Sequence, residues 1–130
     1  MTNQLQFFRC DVCGKVIEIL VEPTYPTICC GKEMVRLVPN HSDGAKEKHV
    51  PVVKVEGNKV HVEVGSVLHP MTAEHLIEWI VLQTNKGVYR KDLTPSDKPI
   101  ADFALLDDEH VVSVYAYCNL HGLWETELSK

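Results

Sequence analysis

Apolar and polar side chains alternate with a period of two along most of this chain. Residues 50–55 (Val-Pro-Val-Val-Lys-Val) and 59–64 (Lys-Val-His-Val-Glu-Val) are β-branched runs. The Glu56-Gly57-Asn58 between them is a hairpin turn signal. Further strands are predicted over residues 87–91, 100–106, 111–117 and 123–128. Segment 75–84, His-Leu-Ile-Glu-Trp-Ile-Val-Leu-Gln-Thr, suits either a helix or a buried strand. Its β-branched and aromatic content, and its strand neighbours, favour a strand. About seven short strands with polar turns predict an immunoglobulin-like β-sandwich.

The first part of the chain reads differently. One alternating run, Lys15-Val16-Ile17-Glu18-Ile19-Leu20-Val21, predicts a strand, and Pro23 and Pro26 then break the pattern. Segment 39–48, Pro-Asn-His-Ser-Asp-Gly-Ala-Lys-Glu-Lys, is polar and reads as a linker or exposed loop. The chain therefore divides into a small module, 1–37, and a sandwich domain, 38–130. A module of that size cannot fold on hydrophobic burial alone and needs a staple.

Composition narrows the function. The chain of 130 residues is 45% hydrophobic and 24% charged, an ordinary globular balance. It is too short for a barrel or doubly wound enzyme with a separate cofactor domain. Thirteen basic against eighteen acidic residues give a net charge of -5, so no global field draws the chain to nucleic acid or an anionic membrane. No apolar run approaches the ~18 residues of a membrane span. The start, Met-Thr-Asn-Gln-Leu-Gln-Phe-Phe, carries no export pattern, which leads us to expect a cytoplasmic protein with reduced thiols.

Cysteine and histidine are the unusual residues, with 5 and 7 copies. Cys10-Asp11-Val12-Cys13 is a C-x-x-C whose sulfurs can converge on one tetrahedral ion. Cys29-Cys30 follows at zinc-ribbon distance, but as an adjacent pair, which predicts widened or distorted S–metal–S angles. Free buried cysteines or a strained vicinal disulfide are the alternatives. Thiolates suit zinc and iron alike, so the ligands alone do not choose the metal.

A second constellation is spread over strand ends and loops. Cys118-Asn119-Leu120-His121 is a short C-x-x-H turn after a predicted strand. His49 lies in Lys46-Glu47-Lys48-His49-Val50-Pro51, and His69 and His75 flank a Pro-containing turn. Loops cluster at the ends of a sandwich, so four imidazoles and one thiolate can meet there; scattered surface histidines are the alternative. His41 in the polar linker, His61 on the solvent face of its strand and His110 in an acidic turn are read as non-ligands.

In order and spacing, the Cys10/Cys13/Cys29/Cys30 pattern, the Glu47-Lys48-His49-Val50-Pro51 string, His69-Pro70-Met71, His75 and Cys118-Asn119-Leu120-His121 resemble the desulfoferrodoxin family of two-iron superoxide reductases. The resemblance covers essentially the whole chain and departs at no motif position. Single-iron relatives lack the N-terminal cysteines, which this chain keeps.

The resemblance implies a mainly β protein: a rubredoxin/desulforedoxin-like module followed by the sandwich. It implies two iron ions. Cys10, Cys13, Cys29 and Cys30 would hold an Fe(Cys)4 centre. His49, His69, His75 and His121 would supply equatorial nitrogens to the second iron, with Cys118 axial and the sixth position open. The implied reaction reduces superoxide to hydrogen peroxide with one electron and two protons. Lys48 would steer the anion and hold a proton-delivering water, and Glu47 would fill the sixth position in the oxidised resting state. The implied electron donor is rubredoxin or a similar small redox protein. The small module is expected to expose apolar side chains such as Phe7, Phe8 and Ile17, and with the family's habit this predicts a homodimer.

Two other readings stay open on the residues. One is a zinc-ribbon module on an immunoglobulin-like binding domain; the other is an iron electron carrier without catalysis. The acidic balance counts against nucleic acid and the vicinal cysteines against an ordinary ribbon.

Overall fold

The computed structural model describes residues 4–43 and 48–128. Twelve strands account for its regular structure, with no helix among the described residues. The chain separates into two units, Met1–Val38 and Pro39–Lys130.

In the first unit, β1 (Gln6–Arg9) lies between β2 (Val16–Ile19) and β5 (Val35–Arg36), while β3 (Ile28–Cys29) pairs with β4 (Lys32–Glu33). Strand β1 escapes a search for alternation because its centre is Phe7-Phe8, two adjacent aromatics. Its central place explains a correction: Phe7 is buried, and Phe8 and Ile17 are half-buried. The apolar side chains this unit exposes are instead Val12, Leu20, Val21, Tyr25, Ile28, Val35 and Val38.

The second unit is two antiparallel sheets. One has the order β10 (Ile100–Ala104), β7 (Lys59–Val64), β6 (Pro51–Glu56). The other has β12 (Gly122–Glu127), β11 (Val111–Cys118), β8 (Ile77–Thr84), β9 (Val88–Asp92). Segment 75–84 thus contains a strand, paired on both sides. The two-residue Gly57-Asn58 turn closes the β6–β7 hairpin at Glu56↔Lys59, with Gly57 at φ 59.

Period two decides what each strand buries. Val60, Val62 and Val64 of β7 face the core with Ile80 and Leu82 of β8 and Val114, Ala116 and Cys118 of β11. On the opposite face of β7, His61 is half-buried rather than simply solvated. Its Nδ1 lies 2.6 Å from Asp102 and its Nε2 3.2 Å from Glu63, and hydrogen bonds to Asp102 and then Glu63 raise its pKa.

Register brings the loop residues together. Pro51 pairs with Val64, Ile77 with Cys118, and Cys118 with Gly122. The start of β6, the end of β7, the start of β8, the end of β11 and the start of β12 are therefore neighbours within their sheets. A register shift between Tyr117 and Cys118 leaves Glu78 of β8 without an opposite number on β11. Such a bulge re-aims the next side chain.

The first residues after Val38 belong to the sandwich. Asn40 forms a parallel bridge with Trp124, and its backbone bonds Leu123 and Glu125 at 2.9 Å each.

Candidate metal centres

Five donors converge at the loop end of the sandwich: His49, His69, His75, Cys118 and His121, with all ligand atoms within 4.8 Å of one another. Their arrangement is specific. Ring centroids are 4.7 Å apart for His49–His69, 4.6 Å for His69–His75, 5.1 Å for His75–His121 and 4.9 Å for His121–His49. The four imidazoles thus close a cycle in which His69 and His121 are opposite corners. The Cys118 sulfur lies 3.5 Å from His69 Nε2 and 3.8 Å from His121 Nδ1. The sulfur therefore lies between two opposite corners of the cycle. Cys118 is also fully buried in the hydrophobic core, whereas His121 is exposed, so the cluster runs from the core to the surface.

The spacing fits a metal ion. Nitrogens at about 2.1 Å and a sulfur at about 2.3 Å from one ion place neighbouring donors about 3.0–3.2 Å apart and opposing nitrogens about 4.2 Å apart. His49 Nε2 and His121 Nδ1 are 3.1 Å apart, and the sulfur–nitrogen distances of 3.5 and 3.8 Å are about 0.4 and 0.7 Å longer than that ideal. An ion held by these five donors would keep a further position for a small ligand.

Each ligand is held by neighbours. His69 Nδ1–H donates to the Pro70 carbonyl at 2.8 Å, which fixes the tautomer and leaves Nε2 as the donor atom. The His75 N–H donates to Thr72 Oγ1 at 3.0 Å. The Asp43 carboxylate accepts the backbone N–H groups of His49 and Val50 at 2.5 and 3.0 Å. The indole of Trp124 stacks on His49, and its N–H donates to the His121 carbonyl at 3.2 Å. Gly65 (φ +90) packs against the backbone of Lys48: a Cβ there would meet the Lys48 carbonyl at 2.5 Å and the Val67 carbonyl at 2.4 Å.

The first unit gathers Cys10, Cys13, Cys29 and Cys30. Four sulfurs at about 2.3 Å from an ion form a tetrahedron with edges of about 3.8 Å. Cys13–Cys29 is 3.7 Å and Cys29–Cys30 is 3.8 Å. The vicinal edge is not widened. Cys30 takes φ 53 and Gly31 φ 73, so the backbone turns left-handed at the pair and brings the second sulfur round. The Cys13 N–H reaches Cys10 Sγ at 3.5 Å and is the main cause lowering the Cys10 pKa to about 6. Cys13, Cys29 and Cys10 together push Cys30 up to about 12. Four thiolates cannot share this volume without a cation.

Family models match both parts of the chain: "Desulfoferrodoxin, N-terminal domain" over residues 2–37 and "Desulfoferrodoxin" over residues 41–127. A desulfoferrodoxin homolog from Archaeoglobus fulgidus is 46% identical, covering 97% of this chain and 99% of the relative. The chain belongs to the desulfoferrodoxin family.

Solved structures agree with this desulfoferrodoxin assignment. The superoxide reductase from Treponema pallidum matches with a TM-score of 0.83 at 36% identity, over 95% of this chain and 98% of that one. The superoxide reductase (1Fe-SOR) from Giardia intestinalis matches with a TM-score of 0.57 at 36% identity, over 65% of this chain and 100% of that one.

Within the desulfoferrodoxin chain, all nine residues singled out as ligands fall into the two clusters. Lys48 is half-buried beside His49, and Glu47 lies outside the described residues. His110 is exposed. His41 is not a bare linker histidine: its Nε2 lies 2.9 Å from the buried carboxylate of Glu125 and 3.4 Å from Glu127. Sequence reading missed Trp124, Asp43, Gly65 and the side chain of Asn119. A Trp in a strand reads as core, and Asp, Gly and Asn in turns are too common to stand out.

Proposed function

We propose that this chain is a superoxide reductase, with the ring of His49, His69, His75 and His121 over Cys118 as its catalytic centre. One observation carries the reading: four imidazoles and one buried cysteine converge with their ligand atoms within 4.8 Å of one another, and an ion held by all five would keep a position for superoxide. Both metals are assigned as iron. The second iron, when bound, supplies one electron to superoxide; with two protons the product is hydrogen peroxide.

The protein's own groups do the rest. The Cys118 thiolate donates electron density from the core side. The imidazoles must be neutral and the thiol ionised to bind, so acid competes with the metal. Lys48 provides a local positive charge on a chain of net charge -5, draws the anion in and holds a water for proton delivery. Glu47 offers a hard carboxylate to the oxidised centre. The catalytic domain is residues 38–130, and residues 1–37 carry the Fe(Cys)4 module.

The remaining assignments extend this reading. Gathering all five cysteines with four histidines into metal-binding clusters suits the reducing cytoplasm. Exposed Leu20, Val21 and Tyr25 on the small unit support a homodimer. The electron donor is a small redox protein such as rubredoxin.

Iron analysis and optical spectra of three variants test the centre. His75→Ala and Cys118→Ser should each lose the second iron or its thiolate-to-iron absorption, and His61→Ala should lose neither. A Cys118→Ser spectrum identical to the wild type would remove the thiolate from the centre.

A further inference from the structure

We propose that Asn119 is a positioning residue that locks the thiolate turn to the His75 loop, by replacing a missing rung of the β8–β11 ladder. The ladder ends at Ile77↔Cys118, beside the register shift. Past that point β11 turns away toward His121, and no regular pairing remains to hold the residues before Ile77. The Asn119 side chain takes over. Its Oδ1 accepts the Leu76 N–H at 3.0 Å, and its Nδ2 donates to the Glu74 carbonyl at 2.9 Å. Its backbone N–H donates to the Leu76 carbonyl at 3.3 Å.

These bonds straddle His75. Glu74 and Leu76 flank it, so one primary amide grips the peptide units on both sides of an equatorial ligand. The same residue follows Cys118 directly in sequence. One side chain therefore ties the last residue of β11, Cys118, to the His75 segment that precedes β8 and lies outside the ladder. Only a carboxamide of this length presents an acceptor and a donor with peptide-like spacing. Aspartate keeps the acceptor but turns a carboxylate toward the Glu74 carbonyl. Leucine has similar bulk and makes neither bond.

The proposal rests on His75 and Cys118 being ligands, and the test separates the two ideas. Iron-loaded full-length protein is challenged with a chromogenic ferrous chelator, and release from each centre is followed by its own absorption. Asn119→Leu should speed release from the second centre by about 10–100-fold, the range that loss of an outer hydrogen-bond partner costs a metal site. Its thiolate-to-iron band should shift, with the Fe(Cys)4 absorption unchanged. Asn119→Asp, which folds with the Leu76 bond intact, should fall between wild type and Asn119→Leu. Wild-type release and band position in both variants would overturn the proposal. So would faster release accompanied by an equal loss in the Fe(Cys)4 centre, because that is general unfolding. His75→Ala run alongside distinguishes the failures: if it keeps iron and band, the ligand assignment is wrong; if it loses them while Asn119→Leu does not, only the positioning role falls.

Discussion

The indole of Trp124 lies flat on the imidazole of His49, with ring centroids 4.5 Å apart and planes 13° from parallel. The same indole donates its N–H to the carbonyl of His121, so one aromatic side chain braces two adjacent corners of the ring. Trp124 is also almost fully buried. Trp124→Ala should cost about 3–5 kcal/mol of stability, as large-to-small aromatic changes in cores do. It should also weaken iron retention at the second centre. Trp124→Phe keeps a stacking face, loses the hydrogen bond, and should retain iron better than Trp124→Ala. Denaturant unfolding with parallel iron analysis measures both effects.

The two centres should be separable. Cys13→Ser removes one sulfur of the tetrahedron, and none of the second centre's ligands comes from residues 1–38. The variant should lose the first iron and loosen the small unit. After chemical pre-reduction it should keep most of its reaction with superoxide. Loss of that reaction with iron still present at the second centre would contradict the division.

A third expectation concerns the positive charge beside the centre. An exposed charge acts on another at ~4–6 Å by roughly 1 kcal/mol or less, more near a low-dielectric cleft. Lys48→Ile should therefore slow the bimolecular reaction of the reduced protein with superoxide by about tenfold. The dependence on ionic strength should flatten, because screening acts over about 8–10 Å. Gly65→Ala pushes a methyl group into the Lys48 carbonyl and should reproduce part of that slowing. Gly57→Ala, at a positive φ but with nothing within 4 Å of the new carbon, controls for backbone strain. Glu47→Ala should leave the first step untouched and alter the oxidised spectrum. Pulse radiolysis across ionic strengths reads all four.

Glu109 gives a pH dependence independent of metal. Its carboxylate accepts from Thr84 Oγ1, from the Leu106 N–H at 2.9 Å and from the Tyr89 hydroxyl at 2.8 and 2.9 Å. The Thr84 bond and then the Leu106 bond hold its pKa below the ordinary carboxylate value. A depressed folded-state pKa stabilises above the unfolded value and loses that contribution as pH falls through the folded one. Glu109→Gln should thus be less stable than wild type at neutral pH. The gap should narrow below about pH 4, where the unfolded carboxyl protonates. Paired urea melts over that range check the sign.

The nine residues of the two clusters were legible because thiols and imidazoles at strand ends are few and chemically conspicuous. The strands around Val60, Val62 and Val64 were legible because one face is buried and the other wet. What escaped depends on three-dimensional neighbours. Phe7-Phe8 hides a central strand because two adjacent aromatics break the alternation that would announce it. The close approach of Gly65 to Lys48 joins residues far apart in sequence at the open end of the β6–β7 hairpin. The undistorted Cys29–Cys30 edge follows from a left-handed backbone at Cys30, which residue identity does not announce.

The central claim is that the His4Cys centre reduces superoxide rather than dismuting it or merely passing electrons. The most direct measurement adds superoxide to chemically reduced, iron-loaded protein without oxygen and counts both products. Reduction consumes one electron and two protons per superoxide, so one hydrogen peroxide should form for each superoxide consumed, with one iron of the second centre oxidised and no dioxygen released. Dioxygen at one for every two superoxide ions, or superoxide decay no faster than with the Cys118→Ser protein, would contradict the account.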